Sequence, residues 1–180
     1  MSERGLARSM VEAFVHFDLV AEGASGDAEV TREQDGWLVS LRGSQVLVPY
    51  EAEVAAQEEG VVFGTGLSEL IDPGQWVLIA ATYANRALEG GLFYAAQEHS
   101  DAERFEGVAA DWRFAADAVA EALKFFSPDY AELPPDAFWS EMGRSLRESE
   151  PERLTRAKLE NDLALYRRGL DDFLRLHSDS

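Results

Sequence analysis

Residues 30–50 constrain the fold more than any other part of this sequence, because apolar and polar residues alternate there across two turn signals. Asp35-Gly36 is typical of a tight hairpin turn, since both residues tolerate positive φ angles, and Gly43-Ser44 marks a second turn. This pattern predicts a three-stranded antiparallel meander that buries one face. The alternating apolar positions are Trp37, Val39, Leu41, Val46, Val48 and Tyr50.

Helices are expected on both sides of this meander. Residues 3–22 place apolar side chains at helical spacing, and Asp72-Pro73 is a typical start for a second helix. From Trp76 to Tyr83 nearly every residue of that second helix is apolar, and Gly90-Gly91 is expected to end it. A helix of this kind is buried on most sides, or it lies between the sheet and another subunit.

Two more strands are predicted after this helix, at residues 92–96 and 104–110. Asp111 is then expected to cap a third helix that runs to Phe126. The expected fold is therefore α+β, with an antiparallel sheet of about five strands flanked by helices in the order α-β-β-β-α-β-β-α.

Prolines after residue 127 interrupt the chain, and two C-terminal helices follow them. The first is predicted at residues 136–148. The second opens with the capping pattern Ser149-Glu150-Pro151-Glu152 and carries Tyr166 and Phe173 on its apolar side. Such a helix needs a surface to lie against, which its own domain, a second subunit or a client protein can supply. We expect an α+β domain at residues 1–130 and a helical extension at 131–180.

The net charge of −18 limits the possible partners, because 34 acidic residues face only 16 basic ones. Most of the excess lies in residues 1–130, which carry 23 acidic and 8 basic residues, a net of −15. Phosphate backbones and anionic membranes repel such a chain, so we expect it to bind neither nucleic acid nor membrane. A basic protein surface would attract it. The alternative, that the acidity only keeps the protein soluble, stays open.

A reducing, cytoplasmic environment fits the composition. The chain has no cysteine, which excludes disulfides, thiolate metal sites and cysteine nucleophiles. Its first residues lack the apolar run of a signal peptide, and no apolar stretch approaches the ~18 residues of a membrane span.

The segment from Glu98 to Glu103 is the one place where acids and a histidine crowd together. A metal site needs three or four donors on a rigid frame, whereas this segment is expected at the tip between two strands, so we interpret it as a turn. The glycines of residues 60–66 match no nucleotide-binding fingerprint and predict a loop. We therefore expect no catalytic residue, no metal and no cofactor, and hence no enzyme.

The order of elements over about two thirds of the chain resembles the YbjN family, whose fold is that of type III secretion chaperones. The matching features lie in the segment YANRALEGGLFYAAQ: Asn85 and Arg86 near the end of an apolar helix, the Gly90-Gly91 break, and the aromatic strand at residues 92–94. The resemblance implies a small acidic homodimer without enzymatic activity that holds segments of a partner polypeptide.

Several residues are candidates for such a partner or dimer interface. The apolar helix suits a dimer contact, and an open sheet edge next to Val46 and Val48 suits an added strand. The candidates are Trp76, Ile79, Ala80, Tyr83, Val46, Val48, Trp139, Tyr166 and Phe173. We therefore expect a chaperone-like adaptor for a client with a basic surface, such as a nucleic-acid-binding protein. An acidic toxin-neutralising (immunity) or DNA-mimic protein is the alternative, and an enzyme built around Glu98-His99 is a third hypothesis.

Overall fold

The computed structural model describes residues 3–98 and 101–177. The chain forms two compact units, Met1–Asp72 (unit 1) and Pro73–Ser180 (unit 2). The division therefore falls at the start of the long apolar helix and differs from the predicted boundary after residue 130. Residues 131–177 belong to the same unit as residues 73–123, because the last helix packs against a helix in that range.

Unit 1 is a small α+β unit with one sheet. Its elements are β1 (Gly5–Leu6), α1 (Met10–Val20), β2 (Glu29–Arg32), β3 (Gly36–Leu41), β4 (Ser44–Pro49) and α2 (Tyr50–Glu59). The sheet order is β1-β4-β3-β2, with β1 parallel to β4 and the other pairs antiparallel. The predicted meander is confirmed. The sheet is mixed and has four strands, so the prediction of about five antiparallel strands is wrong in that detail.

The first helix starts later than the residue spacing predicts. Gly5 pairs with Val46 as part of β1, and the helix begins only at Met10. Ser9 caps it, because its hydroxyl accepts a hydrogen bond from the Glu12 amide at 3.0 Å.

The two turns of the meander differ from each other. Arg42 (φ 49°) and Gly43 (φ 85°) join Leu41 to its pairing partner Ser44, so this two-residue turn needs positive φ at both positions. Gly36 is instead the first residue of β3. A Cβ there would lie 2.3 Å from the Val48 carbonyl oxygen, so glycine is required for close approach of the strands.

The apolar face of the sheet packs against α1 in the core of unit 1. This core includes Ala7, Ala13, Phe17, Val39, Leu41, Val46 and Val48. Because β4 lies between β3 and β1, the prediction of an open edge next to Val46 and Val48 is wrong. The edge strands of the sheet are β1 and β2, and all four residues of β2 are exposed.

Unit 2 contains the helices α3 (Pro73–Ala96), α4 (Ala102–Leu123), α5 (Glu141–Ser149) and α6 (Arg156–His177). The predicted helix start at Pro73 is confirmed, but α3 does not end at Gly90-Gly91. It continues through both glycines to Ala96 and is 24 residues long in total. A Cβ on Gly90 would lie 2.9 Å from Val108 Cγ2 of α4, so the glycine lets two helices approach. The predicted strands at 92–96 and 104–110 are therefore wrong, since both segments are helical.

Three helix starts also differ from the sequence prediction. Asp101 caps α4 in place of Asp111, because its carboxylate accepts hydrogen bonds from the amides of Glu103 and Arg104. Ser140 caps α5, and the Thr155 hydroxyl accepts from the Lys158 amide at the start of α6. Asp136, the predicted start of the first of these helices, and Pro151, in the predicted capping pattern of the second, lie in short 3₁₀ turns that precede the helices.

The helix α4 is the centre of unit 2, because both α3 and α6 pack against it. An aromatic cluster fixes the end of α6, where the Phe173 ring lies 5.0 Å from Phe105 and 5.7 Å from Tyr94, between ring centroids. At the start of α3, a Cβ on Gly74 would lie 2.5 Å from Gly143 Cα, so α3 and α5 cross backbone against backbone. Among the described residues, no helix has the length and apolar character needed to cross a membrane.

Candidate protein-binding groove

An apolar groove with a volume of about 460 Å³ lies on unit 2. Its walls come from α3 and α6, and α4 contributes Trp112. Small residues give it depth, since Ala84, Gly91 and Gly169 leave room where larger side chains would fill the space. We call this surface, lined by residues 84–92 of α3, Trp112, and residues 165–177 of α6, the leucine groove.

Four leucines on the walls of the groove are exposed to solvent. Leu88 and Leu92 of α3 are 55% and 74% exposed, and Leu165 and Leu176 of α6 are 52% and 71% exposed. Single exposed leucines are ordinary on a protein surface, but four around one apolar depression are typical of a protein contact site. Complete burial of a leucine contributes about 1.5–3 kcal/mol, so covering the exposed parts would contribute roughly 1–2 kcal/mol each.

The groove is rigid at its base because α6 packs closely onto α4. A Cβ at Gly169 would lie 2.9 Å from three atoms of the Trp112 ring. Tyr166, one turn earlier on α6, places its ring 6.3 Å from that of Trp112. Burial, together with the nearby Asp162, raises the pKa of Tyr166, so its hydroxyl stays uncharged at neutral pH.

The groove lacks the acidity of the rest of the chain. Residues 84–92 carry one basic and one acidic residue, and residues 165–177 carry three arginines and two aspartates. Together these segments have a net charge of +1, whereas the whole chain has −18. Within the groove, Asp172 pairs with Arg175 at 2.9 Å, and no ion pair of Arg168 is recorded among the described residues.

Two further carboxylates of α4 are partly buried away from the groove lining. Burial raises the pKa of Asp111, and the Arg86 guanidinium, 3.7 Å away, opposes that rise. Burial also raises the pKa of Asp117, which Arg167 of α6 opposes. Both aspartates face a cation from a neighbouring helix, so a role in holding α3 and α6 onto α4 explains them.

Four residues that the sequence suggested as a dimer contact are mostly inside the chain. Trp76, Ile79 and Ala80 are buried, and the ring of Tyr83 stacks on that of Phe114 at 5.1 Å. The chain itself covers this part of α3, which explains why nearly every residue there is apolar. The side chains of Trp76, Ile79 and Ala80 are therefore not available to a partner in this structure, which corrects the expected interface for these three, whereas Tyr83 is half-buried.

The other candidates divide between core and surface. Val46 and Val48 are buried in the core of unit 1, which corrects their expected place at a binding edge. Tyr166 and Phe173 both line the leucine groove, so the structure brings these two together. Trp139 remains partly exposed and lies 6.0 Å from Phe125, and it does not line the groove.

Sequence reasoning missed the four exposed leucines. Leu88 and Leu92 were assigned to a helix end and a strand, which hid their spacing of four residues on one helical face. On α6, Leu165, Asp172 and Leu176 recur at helical spacing. If the helix is continued through Gly90-Gly91, the spacing of Leu88 and Leu92 predicts that both lie on one face, which is the α3 wall of the groove.

The segment around Glu98 ends in a helix cap. His99 and Ser100 lie outside the described residues, and Asp101 uses its carboxylate to cap α4. Within residues 3–98 and 101–177, no group of three or more histidine or acidic side chains has the arrangement of a metal site.

The glycine-rich loop at residues 60–66 is held by side chains of the protein itself. Arg8 donates to the carbonyl oxygens of Gly64 at 3.3 Å and Gly66 at 2.6 Å, and its guanidinium also pairs with the fully buried Glu12. The Ser9 hydroxyl donates to the Phe63 carbonyl at 3.0 Å. These contacts fasten the loop to the start of α1, so a structural role accounts for them.

Comparisons with models of protein families, with curated proteins and with solved structures found no match for this chain. The resemblance to the YbjN family therefore stays a prediction. Two features on which it depends, the break at Gly90-Gly91 and the strand at residues 92–94, are part of the continuous helix α3.

Proposed function

We propose that this protein is a non-enzymatic, chaperone-like adaptor that works by binding other polypeptides. The leucine groove is the observation that carries the proposal. It exposes apolar side chains to water, and a bound polypeptide that covers them gains favourable free energy. Binding of this kind needs complementary surface alone and requires neither a reactive side chain nor a cofactor.

The acidity of unit 1 supports a client with a basic surface. Residues 1–72 carry 14 acidic residues and four arginines, a net charge of −10. From residue 43 to residue 85 there is no lysine or arginine, and α2 exposes Glu51, Glu58 and Glu59 within this stretch. Such a surface accelerates the encounter with a cationic protein and repels nucleic acid and anionic lipid.

The same exposed carboxylates of α2 favour a second candidate function, an acidic immunity or DNA-mimic protein. Glu51 and Glu58 are seven residues apart and therefore lie on one face of the helix. A protein of this class would bind one basic toxin or nuclease, and inhibition of that enzyme would separate it from an adaptor.

Affinity purification from the native cell tests the first proposal. Wild type is compared with Leu88→Glu, which places a charge in the groove, and with Leu67→Glu as a matched control. Leu67 is 51% exposed against 55% for Leu88, but it lies in unit 1 outside the groove. We expect Leu88→Glu to lose bound protein or self-association, and Leu67→Glu to keep both.

Salt tests the electrostatic part separately. A basic client held by unit 1 should be released as ionic strength rises, because the Debye length falls from about 10 Å at 0.1 M to about 3 Å at 1 M. If Leu88→Glu retains every partner and the self-association of the wild type, the groove is not a protein-binding site and the proposal fails.

A further inference from the structure

We infer that the leucine groove binds an amphipathic helix of a client protein, whose apolar face enters the groove and whose residues beside that face are acidic. This inference rests on the proposed function, since it names the form and the charge of the polypeptide that the same groove binds. It also separates the roles of the two units: unit 1 attracts a basic surface, whereas the groove takes a helix that is not basic.

The walls of the groove favour a helical segment over an extended one, because both walls are themselves helices. Along residues 84–92 of α3 and 165–173 of α6, the backbone groups are already hydrogen-bonded within their own helix. An extended segment would therefore find no sheet edge to pair with, and its backbone groups against the groove would lose water without a new partner. A bound helix satisfies its own backbone groups, which is the mode of helix-in-groove recognition.

The dimensions of the groove fit a short helix. At 1.5 Å per residue, residues 84–92 span about 12 Å of α3 and residues 165–177 span about 18 Å of α6, which matches about two to three turns of a bound helix. Ala84, Ala87 and Gly91 keep the α3 side of the groove shallow in side chains, so the bound helix can approach closely. It would become a fourth helix beside α3, α4 and α6, which already share one apolar cluster.

The exposed leucines supply the attraction for an apolar helix face. Each wall presents two of them, which are Leu88 and Leu92 on α3 and Leu165 and Leu176 on α6. An amphipathic helix carries apolar side chains at positions i, i+3, i+4 and i+7, and this stripe is long enough to cover both walls at once. A helix of only two to three turns is marginal in water, so the segment becomes ordered as it enters the groove.

Charge in the lining selects acidic residues on the bound helix. Asp172 lines the groove but is paired with Arg175 at 2.9 Å. Arg168 also lines the groove, is exposed, and has no recorded ion pair within the described part of the chain. A carboxylate of the bound helix can pair with Arg168, whereas a lysine or arginine there would be repelled. The groove segments have a net charge of +1, so they tolerate acidic residues that a chain of −18 repels elsewhere.

Titration of the purified full-length chain with labelled synthetic peptides tests the inference, with fluorescence anisotropy as the readout at about 0.15 M salt. The acidic peptide has about 14 residues, a leucine stripe at helical spacing, and glutamates on both sides of that stripe. We expect it to bind, and a peptide with serine in place of leucine not to bind. Leu88→Glu should weaken binding of the acidic peptide at least about tenfold, and Leu67→Glu should bind it as the wild type does.

A charge change at Arg168 tests the choice of an acidic helix. A basic peptide, with lysine in place of each glutamate, is compared with the acidic one. Arg168→Glu should weaken binding of the acidic peptide several-fold and strengthen that of the basic peptide. Arg113→Glu is the matched control, because Arg113 is an exposed arginine of α4 outside the groove lining, and it should change both affinities less. A basic peptide that binds wild type more tightly than the acidic one, and that Leu88→Glu no longer binds, would overturn the acidic helix.

Proline in the acidic peptide tests the helical form. Proline at the centre, on the side away from the leucines, breaks the helix and leaves the apolar side chains unchanged, whereas proline at the first helical position is tolerated. The central proline should weaken binding at least about tenfold relative to the terminal one. Equal binding of the two peptides would overturn a helical occupant in favour of an extended one.

Failure of this inference can be distinguished from failure of the proposed function. If no peptide binds at concentrations up to about 0.1 mM, but Leu88→Glu still loses a partner from the native cell, the occupant is not a helix of this kind and the proposed function stands. If no peptide binds and Leu88→Glu keeps every partner and the self-association of the wild type, both fail.

Discussion

His16 shows how burial in unit 1 sets the behaviour of one titratable group. It is half-buried on α1, its ring packs edge-on against Phe17 at 5.5 Å, and its Nδ1 has no hydrogen-bond partner among the described residues. Burial lowers the pKa of His16 from its ordinary value of 6.5, because the charged imidazolium loses contact with water. The folded chain therefore holds this histidine neutral at a pH where the unfolded chain protonates it.

This difference predicts a loss of stability in acid. As pH falls below about 6.5, His16 becomes protonated in the unfolded state while it stays neutral in the folded state. The free energy of unfolding therefore decreases until the pH reaches the lower pKa of His16 in the folded state. Urea unfolding measures the free energy of unfolding at pH 7.5 and at pH 5.5. We expect this free energy to decrease more between the two pH values in the wild type than in His16→Gln. A difference between the two proteins that is the same at both pH values would contradict the assignment.

At the scale of elements, the local sequence pattern predicts some helices and strands, whereas others are decided by tertiary packing. The strands β3 and β4 were predictable because alternation of apolar residues and the turn residues are both local signals. The sequence predicts strands at residues 92–96 and 104–110 because a short apolar run looks the same in a strand and in a buried helix. What decides between them is the packing of Gly90 against Val108, and the sequence does not display that contact.

The packing of α6 on α4 predicts the effect of a small change at Gly169. Alanine favours a helix over glycine by about 1 kcal/mol, but its Cβ would overlap the Trp112 ring, and overpacking costs about 1–3 kcal/mol. We expect Gly169→Ala to lower the free energy of unfolding by up to about 2 kcal/mol, which is the overpacking cost less the gain in helix propensity. Chemical denaturation measures this change directly.

Gly107→Ala is the matched control, because Gly107 is an exposed glycine of α4 with open space around its Cβ position. It should stabilise the protein by up to about 1 kcal/mol. Stabilisation by both substitutions would show that α6 does not lie as close to Trp112 as described.

At the scale of the whole molecule, each unit has a hydrophobic cluster among its described residues, and these two clusters share no residue. The core of unit 1 is built from residues 7–48, and the aromatic core around Tyr94 and Phe173 is built from residues 84–173. The leucine groove belongs to unit 2, and its walls are more than 70 residues apart in sequence. No local pattern links residues so distant, so the amphipathic α6 was predictable while the groove was not.

Separate cores predict that unit 2 folds without unit 1. We expect residues 73–180, expressed alone, to give the helical far-UV circular dichroism of four helices and a cooperative thermal transition. A fragment that binds hydrophobic dyes and melts without a transition would show that unit 2 depends on residues 1–72.

The crossing of α3 and α5 at Gly74 and Gly143 has a consequence for how this sequence can change over generations. With 2.5 Å between a Cβ at position 74 and the Gly143 Cα, any larger residue at position 74 must push α5 away. Heritable variation at position 74 is therefore confined to glycine unless the segment that bears Gly143 is remodelled with it.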